Sequence, residues 1–225
     1  MRRRPCIAID GPVGAGKSTI ARLVARELGY TYIDSGAMYR ALAWAARGKG
    51  ITDDPAPVLE LLREAKIELR PRPDGLNEVF VDGRDITGEI RTPEISQLAS
   101  KLSAMPAVRR KMVALQQAMA RAGGVVMEGR DIQTVVLPEA EVKIFLTAPA
   151  RERAERRWKE LRERGLQADV DQVLADIEAR DQRDSTRADS PLRAAPDAVH
   201  VDTGGLSIEQ VAQKVLEMAK KRAAS

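Results

Sequence analysis

The clearest chemical signal is a glycine-rich stretch near the start of the chain that ends in lysine and serine. Gly11, Gly16, Lys17 and Ser18 satisfy the pattern G-x-x-x-x-G-K-[ST] directly after a short apolar run. Glycine lets successive backbone N–H groups converge on a phosphate chain, the lysine reaches the β and γ phosphates, and the serine hydroxyl is a ligand for Mg²⁺. We predict that ATP or GTP binds the loop residues Gly11, Pro12, Val13, Gly14, Ala15, Gly16, Lys17, Ser18 and Thr19.

The loop motif alone does not separate kinases from GTPases or other ATPases. A GTPase reads guanine with an Asn-Lys-x-Asp loop, but Asn77 is the only asparagine and Glu78 follows it. An ATPase acting on DNA or RNA would need a second domain and a basic face interleaved with aromatic residues, which make up 3% of the chain. The net charge of +4 suits an anionic small molecule as well as nucleic acid, so this alternative stays open.

One face of a later helix, predicted from about residue 169, changes from apolar to charged. Val173 and Ile177 begin an inward stripe that continues at helical spacing through Arg180, Asp184 and Arg187. Burying such charges is unfavourable unless they pair with each other or meet a ligand. The stripe therefore indicates either a cleft for an anionic ligand or a structural network of ion pairs.

Charged residues also follow the apolar run Val125–Met127, which is typical of a buried strand. Glu128, Gly129, Arg130 and Asp131 stand at its carboxyl end, the edge of an open α/β sheet where ligands bind. Arg130 could clamp a phosphate with two hydrogen bonds, and Asp131 could accept a hydrogen bond from an amino group. A surface loop with a local ion pair is the alternative.

The segment after Pro149 is rich in arginine and glutamate. Two glutamates precede a basic residue by four positions, as in an exposed helix, and these pairs are Glu155 with Lys159 and Glu160 with Arg164. The functional interpretation is a lid that closes over a nucleotide and brings an arginine to the transferring phosphate. The candidate arginines are Arg153, Arg156 and Arg157.

Bulk composition favours one α/β domain, since the 225 residues are 44% hydrophobic and 31% charged. Cys6 is the only cysteine, so no disulfide can form within the chain. The first apolar run stops at Asp10, which is too early for a signal peptide, and no later run is long enough to span a membrane. We expect a cytoplasmic location. His200, the only histidine, lies in an apolar run and is predicted to be structural.

The elements that must position these residues alternate between short apolar runs and helical patterns, which predicts a parallel sheet with helices on both faces. Strands are predicted at Cys6–Ile9, Tyr30–Ile33, Val125–Met127, Val142–Leu146 and Ala198–Val201. Helices are predicted after the phosphate loop to Gly29, from Asp34 or Ser35 through Trp44, from Pro93, from Pro106, from Pro149 to about Gly165, from about Asp169, and from Ser207 with Gln210 as a capping box. A small β insert, interrupted by Pro71 and Pro73, is predicted from Lys66 to Ile90.

Four sequence motifs occur along the chain, and their order and spacing together are distinctive of one protein family. They are GPVGAGKST at Gly11–Thr19, DSGAMYR at Asp34–Arg40, EGRDIQTVV at Glu128–Val136 and ARDQRDSTR at Ala179–Arg187. With them, the sequence resembles the bacterial cytidylate kinases of the nucleoside monophosphate kinase group. The resemblance implies one P-loop kinase domain over residues 1–225, with a monophosphate-binding insert at about residues 63–105 and a lid at about residues 150–167.

The same resemblance implies an activity and a set of site residues. The activity is transfer of a phosphoryl group from ATP, with Mg²⁺ bound at Ser18, to CMP or dCMP, by a monomer that binds neither nucleic acid nor membrane. The residues expected around the CMP phosphate are Ser35, Arg40, Arg130 and Arg180. Those expected at the ribose are Asp184 and Arg187, and those expected at the cytosine are Ser100, Arg109 and Asp131. Lys17 and Arg130 are expected to be catalytic.

Overall fold

The computed structural model describes residues 4–51, 54–72, 74–163 and 165–224. Strands and helices alternate through most of the chain, as the sequence predicts. In chain order the elements are β1 (Ile7–Asp10), α1 (Lys17–Leu28), β2 (Thr31–Asp34), α2 (Ser35–Gly48), α3 (Pro55–Glu64), β3 (Ile67–Pro71), β4 (Asn77–Val81), β5 (Arg84–Asp85), α4 (Pro93–Ser103), α5 (Pro106–Ala120), β6 (Val125–Gly129), a π-helical turn (Ile132–Val136), β7 (Val142–Thr147), α6 (Ala150–Glu163), α7 (Val170–Thr186), β8 (Val199–Asp202) and α8 (Ile208–Ala224).

Five strands form one parallel sheet in the order β2-β6-β1-β7-β8. All four residues of the central strand β1 are buried, because helices cover both faces of the sheet. Ile7 and Ile9 face α1 and α8, whereas Ala8 packs with Met127 and Ala120 on the opposite side. The predicted α/β fold with a covered parallel sheet is confirmed.

The carboxyl ends of three neighbouring strands meet at one edge of this sheet. Asp10 on β1 is in register with Gly129 on β6, and Asp34 on β2 is in register with Glu128. The phosphate loop, the start of α2 and the segment after β6 therefore share that edge. This is the edge at which open α/β sheets bind ligands.

The predicted β insert forms a small antiparallel sheet, β3-β4-β5, and the helix α3 precedes it. Val79 and Val81 alternate with more exposed residues along β4 and pack against α2, as the alternation predicts. Helix α3 was not predicted from the sequence, although Asp54 caps it and Pro55 stands at its first position. Pro73, one of the predicted interruptions, lies outside the described residues.

Helix ends follow the predicted capping residues in most places. Gly29 ends α1 in the left-handed conformation with φ 63°, and Ser207 and Gln210 form the reciprocal capping box of α8. Asp34 caps α2 by accepting a hydrogen bond from the Ala37 amide at 2.8 Å, so Ser35 is already helical. That helix continues to Gly48, beyond the predicted end at Trp44.

Helices α6 and α7 pack together through a small apolar core formed by Ala154, Leu161, Val173 and Ile177. Ion pairs on α6 differ from the predicted ones, since Glu155 pairs with Arg151 at 3.4 Å. The predicted pair of Glu160 with Arg164 involves a residue outside the described ranges, and Glu160 accepts a hydrogen bond from Arg157 at 2.9 Å.

None of the helices in the described ranges is both long and apolar enough to cross a membrane.

Candidate functional site

The phosphate loop ends where Gly16 becomes the N-cap of α1. Its φ is 84°, and no side chain caps the helix, so the first N–H groups of α1 are available to a ligand. Gly14 has a φ of 77°, and a Cβ added to it would lie 2.9 Å from Cβ of Arg153. The close approach of α6 therefore requires glycine at this position. A free helix N-terminus behind a glycine-rich loop favours an anion.

The other loop residues are placed by their own contacts. The Val13 carbonyl accepts a hydrogen bond from Arg153 at 3.0 Å, which ties the loop to α6. Ala15 is fully buried in the core, and Thr19 is half-buried in the first turn of α1. The whole predicted loop therefore lies between β1, α1 and the start of α6.

Lys17 is only 6% exposed, and its Nζ donates a hydrogen bond to the Pro12 carbonyl at 2.6 Å. The pKa of Lys17 is lowered to about 7, chiefly because the side chain is buried and secondly because Arg130 repels its charge. A phosphate bound at this point would stabilise the protonated form of Lys17. The lysine is thus placed for a polyphosphate ligand.

Glu128 is a buried carboxylate that the sequence analysis noted without giving it a role. Tyr32 donates a hydrogen bond to Glu128 Oε1 at 2.5 Å, and the Ser18 side chain lies beside this carboxylate. Burial, and then the neighbouring Asp34, raises the pKa of Glu128. A serine hydroxyl and a carboxylate are oxygen ligands, which Mg²⁺ prefers, so the residues fit this ion.

Asp184 lies at the centre of a group of three arginines. Its carboxylate is 3.0 Å from Nε of Arg130, 3.9 Å from Nε of Arg180 and 3.6 Å from Nη1 of Arg187. Burial, followed by repulsion from Arg130, lowers the pKa of Arg180 to about 10. The charged stripe on α7 therefore forms an ion-pair network and also leaves an excess of positive charge in the cleft.

A second group of ion-paired side chains lies at the start of α2. Arg40 donates a hydrogen bond to Asp34 Oδ2 at 2.8 Å, and Arg91 Nη2 is 3.8 Å from the same oxygen. The Ser35 hydroxyl donates to the Glu128 carbonyl at 2.6 Å, which joins this group to β6. Arg91 comes from the insert, and the sequence analysis missed it because a single arginine between elements has no distinguishing pattern.

Two of the three predicted base-reading residues, Arg109 and Asp131, meet in one buried place. Arg109 Nη2 is 2.9 Å from Asp131 Oδ1, with the two side chains 3% and 6% exposed. Arg109 also donates to the Ser103 carbonyl at 2.8 Å, and its guanidinium carbon is 5.6 Å from the centre of the Tyr39 ring. Tyr39 was not predicted, and burial raises its pKa beyond the usual range for tyrosine.

Several polar atoms in the cleft are buried without a hydrogen-bond partner among the described residues. Around the base-reading pair they are Tyr39 Oη, Ser100 Oγ, Arg109 Nε and Asp131 Oδ2. In the two arginine groups they are Arg40 Nε, Arg180 Nε and Arg187 Nη2. Because buried polar atoms are normally satisfied, this concentration indicates a polar ligand with both donors and acceptors.

The lid arginines differ in what they contact. Arg153 donates to the Ala148 carbonyl at 2.9 Å and pairs with Asp181 at 2.7 Å, so its guanidinium group contacts other parts of the protein. Arg156 donates to Thr203 at 3.0 Å. Arg157 lies close enough to the cleft for its charge to contribute to the lowered pKa of Arg180.

His200 lies outside the cleft. It is exposed on the edge strand β8, with its ring centre 5.5 Å from that of Phe145. A catalytic role is therefore not indicated. Within the ranges that the structure describes, no cluster of three or more histidine, cysteine or acidic side chains could hold a metal ion by itself.

The parallel sheet, the phosphate loop and the cationic cleft beside it define the P-loop class of phosphoryl-transfer enzymes. A solved structure of an uncharacterized protein from Eubacterium ventriosum has the same fold, with a TM-score of 0.53 at 12% identity, over 97% of this chain and 99% of that one. The model of the cytidylate kinase family matches residues 7–221.

Relatives of similar length agree with this match. The cytidylate kinase of Syntrophotalea carbinolica is 50% identical over 99% of this chain and 94% of its own length. The cytidylate kinase of Geobacillus thermodenitrificans is 50% identical over 99% of both chains. The chain belongs to the cytidylate kinase family.

Proposed function

We propose that the chain transfers the γ-phosphoryl group of ATP to CMP or dCMP, producing ADP and CDP or dCDP. One observation carries the assignment of the acceptor. The phosphate loop, a group of arginines and the Arg109–Asp131 pair lie along one edge of the sheet, which matches a triphosphate facing a nucleoside monophosphate. Family membership supports the same reaction.

The acceptor phosphate fits the arginine groups. Among the described residues, the ion pairs of the five cleft arginines lead to two carboxylates, those of Asp34 and Asp184; the arginines are Arg40, Arg91, Arg130, Arg180 and Arg187. The remaining positive charge attracts an anion, and guanidinium groups match the oxygens of phosphate. We assign the CMP phosphate to Ser35, Arg40, Arg130 and Arg180, and the ribose to Asp184 and Arg187.

The base fits the other end of the cleft. Asp131 can accept a hydrogen bond from the N4 amino group of cytosine, and Arg109 can donate to the cytosine N3 or O2. Uracil presents the reversed pattern, with an acceptor facing the carboxylate and a donor facing the guanidinium. Ser100 lies one helical turn before Ser103, whose carbonyl accepts from Arg109, and its hydroxyl has no partner among the described residues, so we assign it an assisting role.

The transfer itself requires alignment and positive charge. An oxygen of the CMP phosphate attacks the γ-phosphorus in line while the bond from that phosphorus to the β–γ bridging oxygen breaks, so ADP leaves and no covalent enzyme intermediate is needed. Because that oxygen is already ionised at neutral pH, no general base is required. Lys17, Arg130 and Arg157 supply the positive charge at the transferring group. Ser18 would hold Mg²⁺ with Glu128 beside it, and the bound ion would neutralise charge on the β and γ phosphates.

Water must be excluded, since otherwise it would accept the phosphoryl group. We assign this task to the insert, at about residues 63–105, and to the lid, at about residues 150–167. Each carries an arginine that is at least partly exposed near the cleft, Arg91 in the insert and Arg157 in the lid. Closure over both substrates would bring these charges inward.

One chain supplies every residue assigned here, so we propose that the enzyme acts as a monomer on small nucleotides. The cytoplasmic location remains a prediction. ADP release with ATP and Mg²⁺ is to be measured against CMP, dCMP, UMP, AMP, GMP, dTMP and shikimate. CMP and dCMP are expected to give the highest kcat/KM. Stronger activity with AMP or shikimate, or ADP release that responds only to added DNA or RNA, would overturn the assignment.

A further inference from the structure

Aspartates cap helices in several places of this chain. Asp34 caps α2, and Asp54 caps α3 by accepting from the Ala56 amide at 3.0 Å. Asp169 caps α7 by accepting from the amides of residues 171 and 172, both at 3.0 Å. Each carboxylate satisfies N–H groups that the helix itself cannot.

Asp131 holds the same N-cap position on the π-helical turn but does not cap it. Its side chain makes no hydrogen bond to the backbone of the turn. One of its oxygens, Oδ1, is 2.9 Å from Arg109, and the other, Oδ2, is buried without a partner among the described residues. The carboxylate is therefore directed into the cleft, away from its own turn.

Asp10 takes the place of the missing cap. Its Oδ1 accepts from the Ile132 amide at 3.1 Å, and its Oδ2 accepts from the Gln133 amide at 2.8 Å. Asp10 is fully buried at the end of β1, and these are the first two amides of the turn. Because Asp10 occupies both amides, neither of them competes with Arg109 and a ligand for the Asp131 carboxylate.

We propose that Asp10 is a positioning residue for base recognition, because it caps the turn in place of Asp131 and leaves that carboxylate free. This inference rests on the proposed function. Asp10 immediately precedes Gly11, so one residue also fixes the phosphate loop relative to the base-reading carboxylate. Asp10 itself touches neither nucleotide in this assignment.

The test compares CMP with UMP in the variant Asp10→Asn. A carboxamide has one acceptor oxygen and one NH₂ group, so one of the two amides loses its acceptor. The Asp131 carboxylate is then expected to turn toward that amide. The ratio of kcat/KM for CMP to kcat/KM for UMP is expected to fall about tenfold, the scale of one lost buried hydrogen bond.

A double-mutant comparison separates positioning from general damage to the fold. In the Asp131→Asn background, Asp10→Asn is expected to leave the CMP to UMP ratio unchanged, because the residue through which it acts is already altered. An equal fall of the ratio in both backgrounds would overturn the proposal. Asp54→Asn, at a cap remote from the cleft, is the matched control and should keep the wild-type ratio.

Two further outcomes are distinguishable. If the wild-type protein phosphorylates neither CMP nor dCMP, the proposed function fails. If it prefers CMP and folded Asp10→Asn keeps the full preference, only the inference about Asp10 fails. Should Asp10→Asn not fold, Asp10→Glu retains the charge but displaces the turn, and a wild-type ratio in that variant would equally overturn the proposal.

Discussion

Arg130 and Asp184 meet at 3.0 Å in the cleft, although 54 positions separate them in the chain. One directly follows β6 and the other lies near the end of α7. Their contact joins the two charged segments that the sequence analysis considered separately. An ion-pair network and the proposed anion site are therefore compatible, because the same arginines can take part in both.

Asp184→Asn is expected to change how stability depends on pH. Burial opposes ionisation of Asp184, but Arg130, Arg180 and Arg187 outweigh it and lower the pKa below the ordinary value of 3.8. A lowered folded-state pKa means that the carboxylate stabilises the fold above pH 3.8 and that this contribution is lost as pH falls further. The measurement is the free energy of unfolding at several pH values.

Near pH 7 the free energy of unfolding of the wild type is expected to exceed that of Asp184→Asn by about 1 to 3 kcal/mol. This difference is expected to shrink as the pH falls toward about 2. Asp176→Asn, on the exposed part of α7, is the control and should leave the pH profile unchanged. A difference that stays constant with pH would contradict the electrostatic explanation.

Lys17→Met is expected to remove activity without lowering stability. In the free protein Lys17 is buried and repelled by Arg130, which lowers its pKa to about 7, so its charge costs free energy until a phosphate binds. The kcat should fall about a hundredfold or more, while the melting temperature stays the same or rises. Lys143→Met, at the ion pair with Asp197 away from the cleft, should retain activity. Near-normal kcat in folded Lys17→Met would remove Lys17 from the mechanism.

The sequence predicted the parallel sheet because its buried strands are short apolar runs followed by loops or helices. It missed α3 because Pro55 and Pro57 favour a loop, although Val58, Leu61 and Leu62 stand at helical spacing and form the buried face of that helix. It also missed the π-helical turn, whose shape depends on Asp10, a residue more than a hundred positions earlier. A long-range contact of this kind leaves no local pattern.

The candidate site was predictable where residues form a pattern. Arg180, Asp184 and Arg187 were found by helical spacing, and the loop to Thr19 by its motif. The sequence did not indicate the places of Asp34, Tyr39 and Arg91 in the site, or the contacts of each lid arginine. A single charged or aromatic residue has many possible positions in a fold. Ser100 and Arg109 came only from resemblance to a family.

Ser100→Ala is expected to weaken nucleotide binding while leaving the free protein as stable as before. The Ser100 hydroxyl is buried, and its oxygen has no partner in the described part of the chain, so its removal breaks no hydrogen bond in the ligand-free state. The KM for CMP is expected to rise about fivefold to tenfold, with the melting temperature unchanged or slightly higher. Ser103→Ala is the control, because that hydroxyl already donates to the Ser100 carbonyl and should affect stability instead. A large fall in the melting temperature of Ser100→Ala with unchanged KM would show a structural role.

Asp131→Asn is expected to reduce the preference for CMP over UMP. Each mismatch of uracil with Asp131 and Arg109 leaves a buried group unpaired at about 1 to 3 kcal/mol, so two mismatches predict a wild-type preference of roughly thirtyfold to several-thousandfold. In the proposed assignment, the cytosine amino group donates to Asp131 Oδ2, which has no partner among the described residues. A carboxamide can turn its NH₂ group toward the uracil O4 and loses the charge that favours cytosine. The ratio of kcat/KM for the two nucleotides is measured in both proteins, with melting temperatures recorded because the variant also weakens the pair with Arg109. An unchanged ratio in folded Asp131→Asn would show that another group reads the base.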